Sequence, residues 1–366
     1  YTGWYTLSLH DALPIFFAVV RGGHRDTFVL GTTDSHAGWR VGLAASSHQQ
    51  VPRRGASGRS AAALLGAAAR ESGSVPAIRG RSRRIIMFIV EAARCAGPGG
   101  SMTCRSENVV MSLGEFDLIT RYFDRPARRA TLGIGDDCAL FAPAPGMQIA
   151  TSCDMLVEGR HFLSTVAPER LGHKALAVNL SDLAACGAEP LAFTLALALP
   201  RSDEAFLDGF SRGLLALADA HRCELIGGDT TQGPLNICIS VFGQVPAAAT
   251  GTGALLRAGA RSGDDLYVSG SLGDARLALE VFRGTLSLDG REFDAVRDAM
   301  ELPQPRVALG LALRGLASSA IDVSDGLLGD LAHILERSGV DAIVEIDALP
   351  RSVVLRGQPM ALQDRK

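Results

Sequence analysis

The aspartates Asp136, Asp137, Asp154, Asp182, Asp229, Asp322 and Asp325 share one local setting: an apolar strand or small-residue helix that ends in Gly, Ser or Thr. They fall in Gly133-Ile-Gly-Asp-Asp137, Thr151-Ser-Cys-Asp154, Asn179-Leu-Ser-Asp182, Leu225-Ile-Gly-Gly-Asp-Thr-Thr231 and Ile321-Asp-Val-Ser-Asp-Gly326. Carboxylates gathered in one place repel each other, and a hard cation with oxygen ligands relieves that repulsion. Mg²⁺ does so while keeping positions for water and phosphate. Taken singly, each aspartate also fits an ordinary cap of a helix or turn. The recurrence of the setting favours metal chemistry. Ser324 and Asp325 show both readings at once, because either residue can cap a helix and a helix start is also a phosphate site.

Gly133, Gly135, Gly227 and Gly228 would let a backbone approach phosphate closely, or serve as turn glycines. No GxxxxGK[ST] run is present, and Gly270-Ser-Leu-Gly273 is not a dinucleotide fingerprint. His161, seven residues after Asp154, is the histidine expected beside a substrate; His173, His221 and His333 fall on expected helices as surface or packing residues. Cys153 has no base at a readable spacing, so it reads as a small side chain rather than a nucleophile. No Ser/His/Asp arrangement stands out.

These residues need strands and helices to present them. Apolar residues at Phe116, Leu118, Ile119, Tyr122 and Phe123 give a short helix. Strands are expected at 147–152, 191–199 and 235–245, with a strand or turn at 132–139. Pro168 opens a small-residue helix over 169–185, on which Asn179 and Asp182 share a face. Asp203 caps a helix lined by Phe206, Phe210, Leu214 and Leu217. After a Gly/Ala-rich connection over 246–263, a second unit reads as strand 265–269, helix 274–283, a loop to Pro305, helix 306–317, strand 319–323, helix 324–338 and strand 342–346. The pattern is α/β layering in two domains, with a boundary near 250.

A chain of 366 residues with 47% apolar content has room for a core in each domain. Residues 1–110 carry 13 Arg, no Lys and six acids, a charge of +7 that leaves −10 on 111–366. An acidic body excludes a nucleic-acid surface and suits a protein that binds divalent cations. Residues 1–110 show no sustained period and run through Arg/Gly/Ser patches. They are expected to be a disordered or foreign leader outside the fold, with Met111 as the start of the ordered protein. The apolar runs 12–20 and 85–90 are too short to span a membrane. The cysteines Cys95, Cys104, Cys138, Cys153, Cys186, Cys223 and Cys238 make neither CxxC pairs nor Cys/His clusters, which fits reduced thiols in the cytosol. Residues 351–366 are polar and unpatterned, and the second unit has few strands, so a truncated C-terminus is expected.

The ordered motifs Gly114-Glu-Phe, Gly133-Ile-Gly-Asp-Asp-Cys-Ala139, Lys174-Ala-Leu-Ala-Val-Asn-Leu-Ser-Asp-Leu-Ala-Ala185, Leu225-Ile-Gly-Gly-Asp-Thr-Thr231 and Ala320-Ile-Asp-Val-Ser-Asp-Gly326 resemble the thiamine-monophosphate kinase family. That family shares a superfamily with aminoimidazole ribonucleotide synthetase and selenophosphate synthetase. The resemblance covers 111 to about 350. It implies ATP-dependent phosphorylation of thiamine monophosphate to thiamine diphosphate by a cytoplasmic homodimer that needs Mg²⁺. The first domain, 111–250, would hold a mixed sheet with flanking helices and dimerise, with strand 191–199 in a shared sheet. The second, 251–366, would be α/β. The resemblance implies Asp137, Ser152, Cys153, Asp154, Asp182, Asp229, Asp322 and Asp325 as metal ligands; Cys153 stands where a hydroxyl residue is usual, so only its backbone is implied. It implies Gly228, Asp229, Arg257 and Ser324 as nucleotide contacts and His161 as a substrate contact. The family continues into a Gly-Gly-Glu-Asp-Tyr-Glu-Leu run that helps hold thiamine and is not present here. A Mg-nucleotide-binding fragment without turnover, or another ATP-dependent member of the superfamily, is the alternative.

Overall fold

The computed structural model describes residues 115–248 and 252–359, and the backbone of two strands, β1 (Ile15–Arg21) and β2 (Val41–Ala44). All of these fall in one compact unit built from Tyr1–Ser47 and Ser112–Lys366. The Arg-rich patches, Met111, Cys95, Cys104, run 85–90 and the last seven positions of the polar tail lie outside the described residues.

The first domain starts with helix α1 (Glu115–Tyr122), then strand β3 (Met147–Val157), helix α2 (Pro168–Ala185), strand β4 (Glu189–Leu199), helix α3 (Glu204–His221) and strands β5 (Glu224–Gln232) and β6 (Asn236–Pro246). The strands order β3-β6-β4-β5, antiparallel except for the parallel pair β4/β5. Alternation decides which face is covered. Leu156, Phe193, Leu195, Leu197, Ile237, Ile239 and Val241 are buried in one core with Leu176, Leu180 and Leu183 of α2 and Phe210 and Leu214 of α3. Thr151, Cys153 and Met155 alternate with the inward residues of β3 and are exposed. Pro168 sits in the first turn of α2, and the Asp203 carboxylate accepts from Phe206 N at 3.1 Å to cap α3, both as expected. The two helices cross where a side chain would not fit: a Cβ on Gly213 would lie 1.9 Å from Glu169 O.

The second domain holds strand β7 (Asp264–Val268), helices α4 (Asp274–Phe282), α5 (Gly290–Glu301) and α6 (Val307–Ala312), strand β8 (Ala317–Val323), helix α7 (Leu327–Ser338), the two-residue strand β9 (Asp341–Ala342) and helix α8 (Val353–Arg356). Its sheet orders β8-β1-β7-β2-β9. β1 lies antiparallel between β8 and β7, with Phe17 opposite both Ile321 and Val268. Two strands from a stretch without sustained period therefore enter this sheet. Part of the apolar run 12–20 is strand.

Other departures have local causes. The expected loop before Pro305 contains α5, which the breakers Gly284 and Gly290 concealed; Asp289 caps it through Glu292 N at 2.8 Å, and Phe293, Val296 and Met300 pack toward Leu277 and Leu355. Helix 306–317 stops at Ala312, short of Gly315, whose φ is +73°. Strand 342–346 shrinks to β9 and gives way to a 3₁₀ turn at Ile346–Ala348. Leu132 meets Leu140 only as an isolated bridge, so 132–139 is a turn. β4 is an inner strand, bonded on both sides by β5 and β6.

Candidate functional site

α2 is the strut on which the site is built. Residues 100° apart on a helix face different neighbours, and Ser181 and Asp182 use this. Asp182 turns toward β3, where Ser152 Oγ donates to its Oδ2 at 2.5 Å. Asn179, one turn earlier, accepts from Asp154 N at 3.2 Å and donates to Ala175 O at 2.9 Å. Ser181 turns to the second domain, where its Oγ donates to Asp322 Oδ2 on β8 at 2.8 Å.

The electrostatics of these carboxylates follow from that packing. Asp182 has its pKa raised by burial, against the Ser152 hydroxyl and the Arg257 charge. Asp322 is pushed up to about 7 by burial and then by the Asp182 charge, with the Ser181 hydroxyl opposing and Asp330 adding to the rise. Arg257 acts on both Asp182 and Asp330, so its charge is felt by acids of both domains. Its backbone is fixed from the second domain, since Ser319 Oγ donates to Arg257 O at 2.7 Å.

Ser324 and Asp325 do not cap α7 as expected. Gly326 holds the N-cap position with φ +110° and makes no side-chain cap. The Asp330 carboxylate accepts from two amides of the turn ahead of the helix, Ser324 N at 2.9 Å and Asp325 N at 3.1 Å. His161 lies beyond the end of β3, and its Nδ1 accepts from Val157 N at 2.9 Å, which leaves the ring proton on Nε2 when the ring is neutral. The buried Lys174 of α2, 4% exposed, donates from Nζ to His161 O at 2.9 Å and ties that loop to the same helix.

The structure thus brings together Ser152, Asp154, Asp182 and Asp322 with Arg257 nearby, and holds Ser324 and Asp325 through Asp330. The remaining candidates stand apart. The Cys153 side chain is on the exposed sheet face, with Sγ 3.5 Å from Cys238 Sγ. Asp137 is on an exposed loop whose Ala139 and Phe141 pack on Leu191, Ala192 and Ile226, and Asp229 is exposed on β5. Gly228 backs against β4, where a Cβ would lie 1.9 Å from Leu195 O. Among the described residues, no three His, Cys, Asp or Glu side chains gather closely enough to hold a metal. Sequence reasoning gave no role to Ser181, Lys174 or Asp330. The first two lie inside a quoted motif, and the third follows Asp325 by five residues, in the first turn of α7.

Residues 135–245 match the family described as AIR synthase related protein, N-terminal domain, and residues 261–361 match the corresponding C-terminal domain. The fold is that of a two-domain AIR synthase-related protein. The thiamine-monophosphate kinase of Salmonella typhimurium is 49% identical over 248 residues, which are 66% of this chain and 74% of that protein. The crystal structure of thiamine-monophosphate kinase from Stenotrophomonas maltophilia K279a superposes with a TM-score of 0.62 at 44% identity, covering 69% of this chain and 82% of that one. The structure of AaThiL complexed with AMPPCP and TMP gives 0.54 at 30% identity, covering 59% and 68%. The chain belongs to the thiamine-monophosphate kinase family.

Proposed function

We propose that the protein transfers the terminal phosphoryl group of ATP to the phosphate of thiamine monophosphate, giving thiamine diphosphate and ADP. The observation that carries this reading is the pair Asp182 and Asp322, one from each domain, held by Ser152 and Ser181 with both pKa values raised. Half-buried carboxylates that repel each other fit a hard divalent cation, and the oxygen-rich donor set favours Mg²⁺. Asp137, Ser152, Asp154, Asp182, Asp229, Asp322 and Asp325 would be shared among several such ions rather than close on one, since Asp137 and Asp229 stand apart from Asp182 and Asp322; Cys153 would add only backbone. Bound Mg²⁺ supplies positive charge for the phosphate oxygens. Gly228, Asp229, Arg257 and Ser324 contact the nucleotide, with Arg257 bringing a guanidinium to the polyphosphate. His161 contacts thiamine monophosphate.

The acceptor is a phosphate oxygen already ionised on the substrate, so no side chain need act as nucleophile or strong base. Positioning by the chain's own residues is the main demand. The absence of a Ser/His/Asp arrangement in the sequence agrees with this. The protein acts in the cytoplasm as a homodimer. Free thiols at Cys138, Cys153, Cys186, Cys223 and Cys238 support a reducing compartment, and no helix among the described residues is long and apolar enough to cross a membrane. A second copy would cover the outer face of the first domain's sheet, where Ile149 and Met155 are 40% and 52% exposed. The experiment is calorimetric titration of the full chain with Mg-ATP beside a chromatographic assay for thiamine diphosphate. Binding with turnover is the expected result. Binding without turnover leaves a Mg-nucleotide-binding fragment, and the proposal falls.

A further inference from the structure

We propose that Asp330 is a positioning residue for the nucleotide and metal side of this reaction, holding the backbone that carries Ser324 and Asp325. The inference rests on the function proposed above and assigns a role to a residue outside its contacts. Asp330 is 4% exposed and belongs to α7, yet its carboxylate reaches back over the helix start to accept from Ser324 N and Asp325 N at 2.9 and 3.1 Å. These two amides precede the N-cap residue Gly326, so they belong to the turn between β8 and α7 and not to the first-turn donors of the helix. Gly326 has no side chain with which to tie that turn down, and Asp330 does so from the first turn of α7.

The consequence is a division of labour within a few residues. Asp330 ties down the amides of Ser324 and Asp325, and both residues stay on the turn that leaves β8 just after Asp322. One buried carboxylate thereby fixes the spacing between Asp322, Ser324 and Asp325. Outer groups that orient metal ligands without touching the metal act in this way, and their loss typically lowers metal affinity about 10–100-fold.

The test uses the full chain as Asp330→Ala and Asp330→Asn, titrated calorimetrically with Mg²⁺ and the non-hydrolysable ATP analogue AMPPCP. Asp330→Ala is expected to weaken Mg-dependent analogue binding by about 10–100-fold and to raise KM for ATP in step, with KM for thiamine monophosphate changed far less. Asp330→Asn, which keeps one acceptor oxygen, is expected to fall between. Amide hydrogen exchange at Ser324 and Asp325 should quicken in the metal-free variants. Unchanged analogue binding, unchanged exchange, or an equal loss for both substrates together with a lowered Tm would overturn the proposal; if Asp330→Ala does not fold, Asp330→Asn decides by the same readouts. Wild-type protein that binds Mg-AMPPCP but makes no thiamine diphosphate sinks the proposed activity alone, because the binding comparison stands without turnover.

Discussion

Ser181 Oγ donates a 2.8 Å hydrogen bond to Asp322 Oδ2, joining helix α2 of the first domain to strand β8 of the second. Ser181 is itself buried, so water does not readily replace it. Ser181→Ala should leave the half-buried Asp322 carboxylate short of a donor and destabilise the metal-free protein by about 1–3 kcal/mol at pH 8. The loss should shrink at pH 5, where Asp322 is neutral and its acceptor is weaker. Urea denaturation at the two pH values measures both. A difference below about 0.5 kcal/mol at pH 8 would remove this bond from the interdomain account.

Acid should favour the metal-free fold through Asp322. Its native pKa is pushed up to about 7 by burial and by Asp182, whereas an unfolded aspartate titrates near its ordinary value of 3.8. Between those values the native state holds more protons than the unfolded state, so the stability of unfolding falls as pH rises. Below the unfolded pKa the advantage is fully present; it is lost by the time pH passes the native pKa. One such group contributes a slope of up to about 1.4 kcal/mol per pH unit inside the window. Other acids slope the opposite way, so the comparison is with Asp322→Asn, whose stability should decline less steeply from pH 5 to 7. Parallel curves for the two proteins would refute the assignment.

Much of the site was legible because its residues sit in short runs whose local structure is nearly self-determined. Pro168 sets the start of α2, and the spacing of Asn179 and Asp182 then puts both toward β3. Ser181 escaped notice for the same helical reason, since its partner lies 141 positions away and no local pattern announces it. Asp330 was hidden by the routine expectation that Ser324 or Asp325 caps its own helix. In the fold, strands with clear alternation such as β6 were readable, whereas β1 and β2 pair only with strands more than two hundred residues further on, and their own stretch has no sustained period. An apolar strand such as β4 reads the same at an edge or between two neighbours, and here it has two.

The adjacent glycines of Leu225-Ile-Gly-Gly-Asp229 look equivalent in sequence, and the structure separates them. A Cβ on Gly228, whose φ is +152°, would lie 1.9 Å from Leu195 O and 2.7 Å from Leu195 C, inside the parallel pairing of β4 with β5. A Cβ on Gly227 would meet only Thr194 Cγ2 at 3.9 Å, an ordinary contact. Gly228→Ala must therefore push β5 away from β4 or distort the strand, and it should destabilise the protein by more than about 2 kcal/mol. Gly227→Ala should change stability by less than about 1 kcal/mol. Displacement of β5 moves Asp229 as well, so Gly228→Ala should also weaken Mg-AMPPCP binding while Gly227→Ala largely preserves it. Thermal denaturation and calorimetry on the two variants check the pair together. Equal tolerance at both positions would mean that the backbone of β5 yields freely to β4, and that the close approach at Gly228 does not fix where Asp229 stands.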